Sequence, residues 1–346
     1  MRKTLRLALL TALTLPWLAS ATALAGTHST PAPPRTAMSA GILVDVSTGK
    51  VLWSKNSTQV RSPASLTKVL TALTVLEYSA LDGYTTISKA ARAVDGGRTY
   101  AEEGWRFTMR DLLWGLLLQS GNDAAIALAE NASPDGSVEG FMSMANALAA
   151  RLGAGDSNFV NPHGLDAPGQ VSTARDLAII TTAALEDPRF VEMVSSKTHI
   201  VPWGDRDSHM FINHNKLLWR YEGTIGVKTG FTNQAGPSLI SAVQRDGSTL
   251  MAVVLGSGDH YGDSTALYDW GFANLHELRA ASQDRISPNP SGDDVALQTS
   301  SSLDQAGLSN SPIDQRIPVP LLAAVISAAL VTAALLRRVG YYQRNL

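Results

Sequence analysis

The sequence predicts an α+β domain in which strands from both ends of the ordered region share one antiparallel sheet and helices lie between them. Two patterns predict it: short apolar runs with turn chemistry near the start and finish, and long runs of helical spacing in the middle. A third observation bounds the domain, because both chain ends carry signals unrelated to folding.

Arg2, Lys3 and Arg6 precede an apolar stretch over 7–18, and Ala23-Leu24-Ala25 offers a small-x-small cleavage site, so residues 1–25 read as a signal peptide. A flexible leader rich in Pro and Thr follows at 26–37, and the domain is expected at 38–281. Residues 41–46 and 51–54 form a β-hairpin around Ser47-Thr48-Gly49. Pro63 opens a helix bearing Leu66, Val69, Leu70, Leu73 and Leu76. Thr108 and Asp111 make a capping box for a helix over 112–118. Helices are also expected at 122–131, at 138–152 (stopped by Gly153) and at 175–185, capped by Thr173 with Asp176. Strands return at 224–231, 239–244 and 249–255, the last two joined by Asp246-Gly247. A helix over 265–278 closes the domain.

Residues 282–316 are rich in Ser, Pro, Gly, Asp and Gln and contain no aromatic side chain, which predicts a disordered tether. Its r.m.s. span as a flexible coil is roughly 30–35 Å. Residues 317–336 carry no charge and, as a helix, span about 30 Å, one bilayer core. Arg337, Arg338 and Arg344 then make 337–346 a short cytoplasmic tail and place the domain outside the cell membrane as a single-pass protein. Both ends exclude a cytosolic enzyme. A net charge of −2 gives no reason to expect nucleic acid as a partner. The lack of cysteine removes thiol nucleophiles, Cys-ligated zinc and iron–sulfur clusters.

Three short motifs carry possible chemistry. In Ser65-Leu66-Thr67-Lys68, i and i+3 share a helix face, so the amine reaches the hydroxyl. A lysine desolvated by apolar neighbours can take the serine proton, and the helix N-terminus favours a developing oxyanion. The bland alternative is a Ser and a Lys on a solvated face, and Ser47-Thr48-Gly49-Lys50 shows that the spacing arises by chance. Ser120-Gly121-Asn122 breaks two apolar helices; its hydroxyl could relay a proton and its amide hold a carbonyl, or Asn122 could simply be an N-cap. Lys228-Thr229-Gly230 lies in a strand, where the lysine offers a cation, the threonine a donor and the glycine room for a substrate backbone. Its alternative is a strand end with a solvated lysine.

In this order the three motifs form the set found in penicillin-binding proteins and class A β-lactamases. The chain resembles the low-molecular-mass penicillin-binding proteins, the serine-type D-alanyl-D-alanine carboxypeptidases of peptidase family S11. The blocks at 63–68, 116–124, 161–170, 213–218 and 227–232 carry the likeness, which spans about residues 40–278. It implies a β-lactamase/transpeptidase-like fold with a helical subdomain inserted between the strands. It implies Ser65 as acylated nucleophile, Lys68 as general base, Ser120 as the group returning the proton, and Asn122 as the residue that orients substrate and holds the Lys68–Ser120 network. Lys228 and Thr229 would meet the terminal carboxylate, and the N–H groups of Ser65 and Phe231 would form the oxyanion hole. No metal or organic cofactor is implied. The implied reaction releases D-alanine from peptidoglycan stem pentapeptides, with β-lactam antibiotics as covalent inhibitors.

The resemblance also makes Gly230 and His214 substrate-binding candidates; His214 stands where many relatives carry an Arg that assists with the substrate carboxylate, so carboxylate binding rests more on Lys228 and Thr229. His163 resembles a family position near the site, and beside that reading stands a structural one, which is preferred, its imidazole bonding carbonyls of its own loop. His199, His209 and His214 fit no zinc spacing and read as loop residues. The β-rich second domain and amphipathic C-terminal helix common in the family are replaced here by the tether and spanning helix. Two other readings stand beside the carboxypeptidase. A β-lactamase is one, though no Glu between Asn122 and Lys228 has an Asn four residues on; a non-catalytic cell-wall binding protein is the other.

Overall fold

A computed structural model describes residues 31–204 and 206–288. The expected signal peptide, the spanning helix and most of the tether lie outside the described residues; among those described, no helix is long and apolar enough to cross a membrane. Strand β1 (Ala40–Asp45) pairs antiparallel with β2 (Lys50–Lys55). A 3₁₀ turn, Ala64–Leu66, runs directly into helix α1 (Thr67–Tyr78). Every residue of α1 from Thr67 to Leu76 is buried. The leucine and valine spacing pointed to one apolar face, yet the helix is enclosed on all sides. Its threonines tolerate this because their hydroxyls find backbone acceptors: Thr71 donates to Pro162 O at 2.7 Å and Thr74 to Leu70 O at 2.8 Å.

Next come the short β3 (Tyr84–Thr86), α2 (Lys89–Ala93) and β4 (Arg106–Thr108), too brief to show a period. Helices α3 (Met109–Leu118), α4 (Asn122–Ala132), α5 (Val138–Arg151), α6 (Ala174–Leu185) and α7 (Pro188–Ser195) follow. Both expected caps form: Thr108 and Thr173 each accept from the amide three residues on, at 3.0 Å. Asn122 is not a cap. Gly121 takes that position and Asn122 begins the helix, which frees its side chain.

A hairpin of β5 (Thr198–Trp203) and β6 (Arg206–Ile212) escaped the sequence reading. Val201, Trp203 and Phe211 are buried, but Ile200, Met210 and Ile212 on its outer face are apolar too, which erases the alternation. After α8 (Leu217–Arg220) come β7 (Thr224–Gly230), β8 (Ser238–Arg245) and β9 (Ser248–Leu255), the last two turned by Asp246 and Gly247 at φ 47° and 73°.

The five-stranded antiparallel sheet has the order β2-β1-β9-β8-β7, so both chain ends build it. Alternate residues serve opposite faces: Ile42 and Val44 join the large core under the helices, and Leu43 joins a second cluster. Leu267, Tyr268 and Leu278 cover that second face. They come from α9 (His260–Ala273) and α10 (Leu275–Ala281). These replace the single helix expected over 265–278, because the Asn274 side chain bonds Trp270 O at 2.8 Å and the backbone breaks there.

Packing continues past the expected boundary at residue 281. Ile286 is 3% exposed. Val51 N donates to Asp284 O at 3.0 Å and Ile286 N to Gly49 O at 2.8 Å, while Arg175 grips Asp284 through two 2.9 Å bonds. An edge strand with spare backbone groups and one apolar anchor hold the segment, details that average composition conceals.

Candidate active site

Ser65 lies in the 3₁₀ turn and is partly exposed, whereas Lys68, one turn on, is fully buried because α1 is enclosed on all sides. Lys68 Nζ lies 3.0 Å from Ser65 Oγ, 2.7 Å from Asn122 Oδ1 and 2.5 Å from His163 O. The last two oxygens can only accept. The Asn122 amide is oriented by its Nδ2, which donates to Asp95 O at 2.6 Å. A neutral amine has two N–H donors and one lone pair, so donating to the two obligate acceptors turns the lone pair on Ser65 Oγ.

Electrostatics favour that neutral form. Burial, and next the charge of Lys228, hold the Lys68 amine well below the usual lysine range; Asp123 offsets this in part. Burial alone brings Lys228 down to about 7. Its ammonium donates to Thr229 O at 3.1 Å, and among the described residues no other hydrogen bond claims it, which leaves donors for an anion. Gly230 brings β7 against the serine turn: a Cβ there would lie 3.2 Å from Leu66 Cγ and 3.3 Å from Ala64 Cβ. Phe231 follows and is 64% exposed.

Ser120 sits between α3 and α4 at φ 59°, and among the described residues its hydroxyl bonds no protein group. The structure thus joins Ser65, Lys68 and Asn122 through hydrogen bonds and couples Lys68 to Lys228, but leaves Ser120 outside the bonded set. His214 is tied by its backbone, donating to Leu118 O at 3.2 Å and accepting from Tyr261 Oη at 3.1 Å. Burial first, and then Lys228, lower the pKa of its imidazole.

His163 corrects the reading of its loop. Among the described residues the imidazole bonds no carbonyl; Nδ1 accepts from Leu165 N at 3.2 Å, and it is the His163 carbonyl that receives Lys68. Burial, then Lys68, lowers the ring to about 4, so it is neutral at pH 7. His199 and His209 lie on β5 and β6 rather than in loops; His199 stacks on Trp114 at 3.6 Å, and His209 packs between Trp203 and Phe211.

Sequence reasoning also missed Asp123, whose buried carboxylate accepts from Thr99 N at 2.9 Å, Thr99 Oγ1 at 2.8 Å and Tyr100 N at 3.0 Å. It fixes the 95–100 loop against the start of α4. An acid in a helix's first turn was the available signal. The stray Ser47–Lys50 pair lies in the β1–β2 turn, Ser47 accepting from Thr249 N and Lys50 turned to Arg279 O.

Two coupled lysines of opposite duty give a signature in pH. kcat/KM is expected to rise as Lys68 loses its proton and to fall as Lys228 loses its own near pH 7, the values belonging to the pair. Lys228→Arg, with a cation that does not titrate, should push the falling limb beyond about pH 9. A falling limb that stays in place in that variant, measured from pH 5 to 10, would remove Lys228 from this role.

An antiparallel sheet with an inserted helical lobe, and a serine beside a buried lysine at their junction, make an arrangement able to carry serine acyl transfer. A family model described as D-alanyl-D-alanine carboxypeptidase matches residues 27–259. Among curated relatives, D-alanyl-D-alanine carboxypeptidase DacB2 of Mycobacterium tuberculosis is 35% identical over 240 residues, covering 67% of this chain and 81% of the relative. DacD of Escherichia coli is 35% identical over 280 residues, covering 74% and 70%. The solved Streptomyces K15 DD-transpeptidase superposes with a TM-score of 0.68 at 32% identity, covering 70% of this chain and 100% of that one. A D-alanyl-D-alanine carboxypeptidase from Mycobacterium tuberculosis gives 0.67 at 33% identity, covering 71% and 95%. The chain belongs to the D-alanyl-D-alanine carboxypeptidase family and is a serine-type hydrolase.

Proposed function

We propose that the protein is a membrane-anchored carboxypeptidase that removes the terminal D-alanine from peptidoglycan stem pentapeptides through an acyl-enzyme on Ser65. The observation that carries this is the Lys68 amine, whose two obligate acceptors leave its lone pair for Ser65 Oγ. Ser65 Oγ attacks the carbonyl of the penultimate D-alanine and its proton passes to Lys68. The N–H groups of Ser65 and Phe231 take the developing oxyanion. Lys228 and Thr229, with a neutral His214 beside them, hold the substrate carboxylate, and Gly230 admits the substrate backbone. Ser120 hands its proton to the leaving amine while taking the one held by Lys68, and D-alanine departs. Water completes hydrolysis of the ester, giving up a proton to Lys68 as it attacks, and that proton returns to Ser65 as the ester breaks. Penicillins acylate the same oxygen, but their opened ring stays attached. Support for the anchor is the uncharged stretch over 317–336 followed by Arg337 and Arg338.

A β-lactamase needs a carboxylate that drives water onto the ester. Asp123 is committed to Thr99 and Tyr100, and among the described residues no Glu bonds Ser65, Lys68, Ser120 or Asn122. Slow loss of the penicilloyl group is therefore expected. The test is labelling with a fluorescent penicillin and mass-spectrometric detection of D-alanine release, comparing wild type with Ser65→Ala. Label and release should both vanish in the variant. A wild type that stays dark favours the binding protein, and rapid catalytic loss of penicillin absorbance favours the β-lactamase.

A further inference from the structure

Residues 161–170 wrap the serine turn through several independent contacts. Pro162 O accepts from Thr71, His163 O from Lys68, and Gln170 Nε2 donates to Thr67 Oγ1 at 3.0 Å. Asp166 extends this grip across the cleft. Its Oδ1 accepts from Ser62 Oγ at 2.7 Å and also from Thr232 Oγ1 at 2.8 Å, while Oδ2 accepts from Gln234 N at 3.3 Å. Thr232 Oγ1 in turn accepts from Ala235 N at 3.1 Å, which closes the loop after β7.

Ser62 stands three residues before Ser65, and Thr232 directly follows Phe231. One carboxylate oxygen therefore ties together the two remote chain segments whose amides serve as oxyanion donors. We propose that Asp166 is a positioning residue that sets the spacing of the Ser65 and Phe231 N–H groups. This rests on the acyl-enzyme reading above and names what fixes its geometry.

Chemistry favours a carboxylate for this task, because an ionised oxygen accepts two hydroxyls at once and strongly. Charge argues against any direct role. An anion close to the oxyanion hole opposes the negative charge that forms there, so electrostatics alone would make acylation faster once Asp166 is neutralised. Asp166 forms no ion pair among the described residues that would cancel that effect. Positioning predicts the opposite sign.

The test uses the full-length protein and separates non-covalent binding from the acylation step by stopped-flow with a chromogenic β-lactam. Asp166→Ala should slow the acylation step about 10- to 100-fold, the range expected when oxyanion donors are misplaced or lost. Non-covalent binding should change less than about threefold on the same scale. A peptidyl boronic acid, which forms a tetrahedral anion on Ser65, should weaken by the same factor as the acylation rate. Asp166→Asn keeps an oxygen for both hydroxyls and should stay within about threefold of wild type. Thr232→Val cuts the link while leaving the Asp166–Ser62 bond, so it should reproduce the alanine variant and carries the test if that variant fails to fold.

Acylation at or above the wild-type rate in Asp166→Ala or Thr232→Val overturns the proposal. So does an equal loss in non-covalent binding, the mark of a general structural defect. A wild type that never labels with penicillin is a different failure, one that overturns the acyl-enzyme reading itself.

Discussion

Lys68→Gln should fold normally and acylate Ser65 about 10³- to 10⁴-fold more slowly at neutral pH, the upper range for loss of a general base. The glutamine amide can still donate to Asn122 Oδ1 or His163 O, so the buried acceptors keep partners. What it lacks is a lone pair able to take the serine proton. Burial holds the Lys68 amine well below the usual lysine range and so favours its neutral form, and among the described residues Lys68 forms no ion pair that the substitution would break. Thermal stability should therefore change by a few degrees at most, on the order of 1 kcal/mol. In stopped-flow acylation the variant should also lose the wild-type rise with pH and follow hydroxide concentration instead. A rate within tenfold of wild type would show that another group takes the proton.

Gly164→Ala should damage both stability and acylation. The residue sits at φ 88°, and a Cβ there would lie 1.9 Å from Ala64 O and 3.0 Å from Ser65 N. Neither contact can be relieved by turning a side chain, so the Ala64–Ser65 peptide must move and the nucleophile moves with it. A loss of at least about 3 kcal/mol is expected from collision and backbone strain together. Gly104 supplies the control, with φ 84° and nothing within 4 Å of the added carbon. Gly104→Ala should lose only the backbone preference, about 1 kcal/mol, and acylate as wild type does. Equal losses for the two variants in urea denaturation would remove the steric argument.

Much of this was legible in the sequence because local signals agree with the final structure. The caps at Thr108 and Thr173 form, and the Asp246-Gly247 turn joins the expected strands. The motif spacing placed Lys68 beside Ser65, since i and i+3 meet on any helix turn. What stayed hidden lacks a local signature. The third oxygen at Lys68 belongs to a backbone carbonyl, which every residue carries. Asp166 lay inside the 161–170 block without a role of its own, because its partners Ser62 and Thr232 become neighbours only when the sheet closes. The β5–β6 hairpin is apolar on both faces, and the docking of Ile286 depends on an edge of β2 that composition cannot register.

The enclosure of α1 has a consequence beyond packing. Lys68 owes its lowered proton affinity first to the dryness of the helix around it, so with Lys68 as the proposed base the same core that stabilises the fold sets the acidity at which Ser65 becomes active. Any loosening that admits water to the first turn of α1 raises the proton affinity of Lys68 and carries the onset of activity toward higher pH. The enzyme thus reports its own core integrity through its pH profile, long before it unfolds.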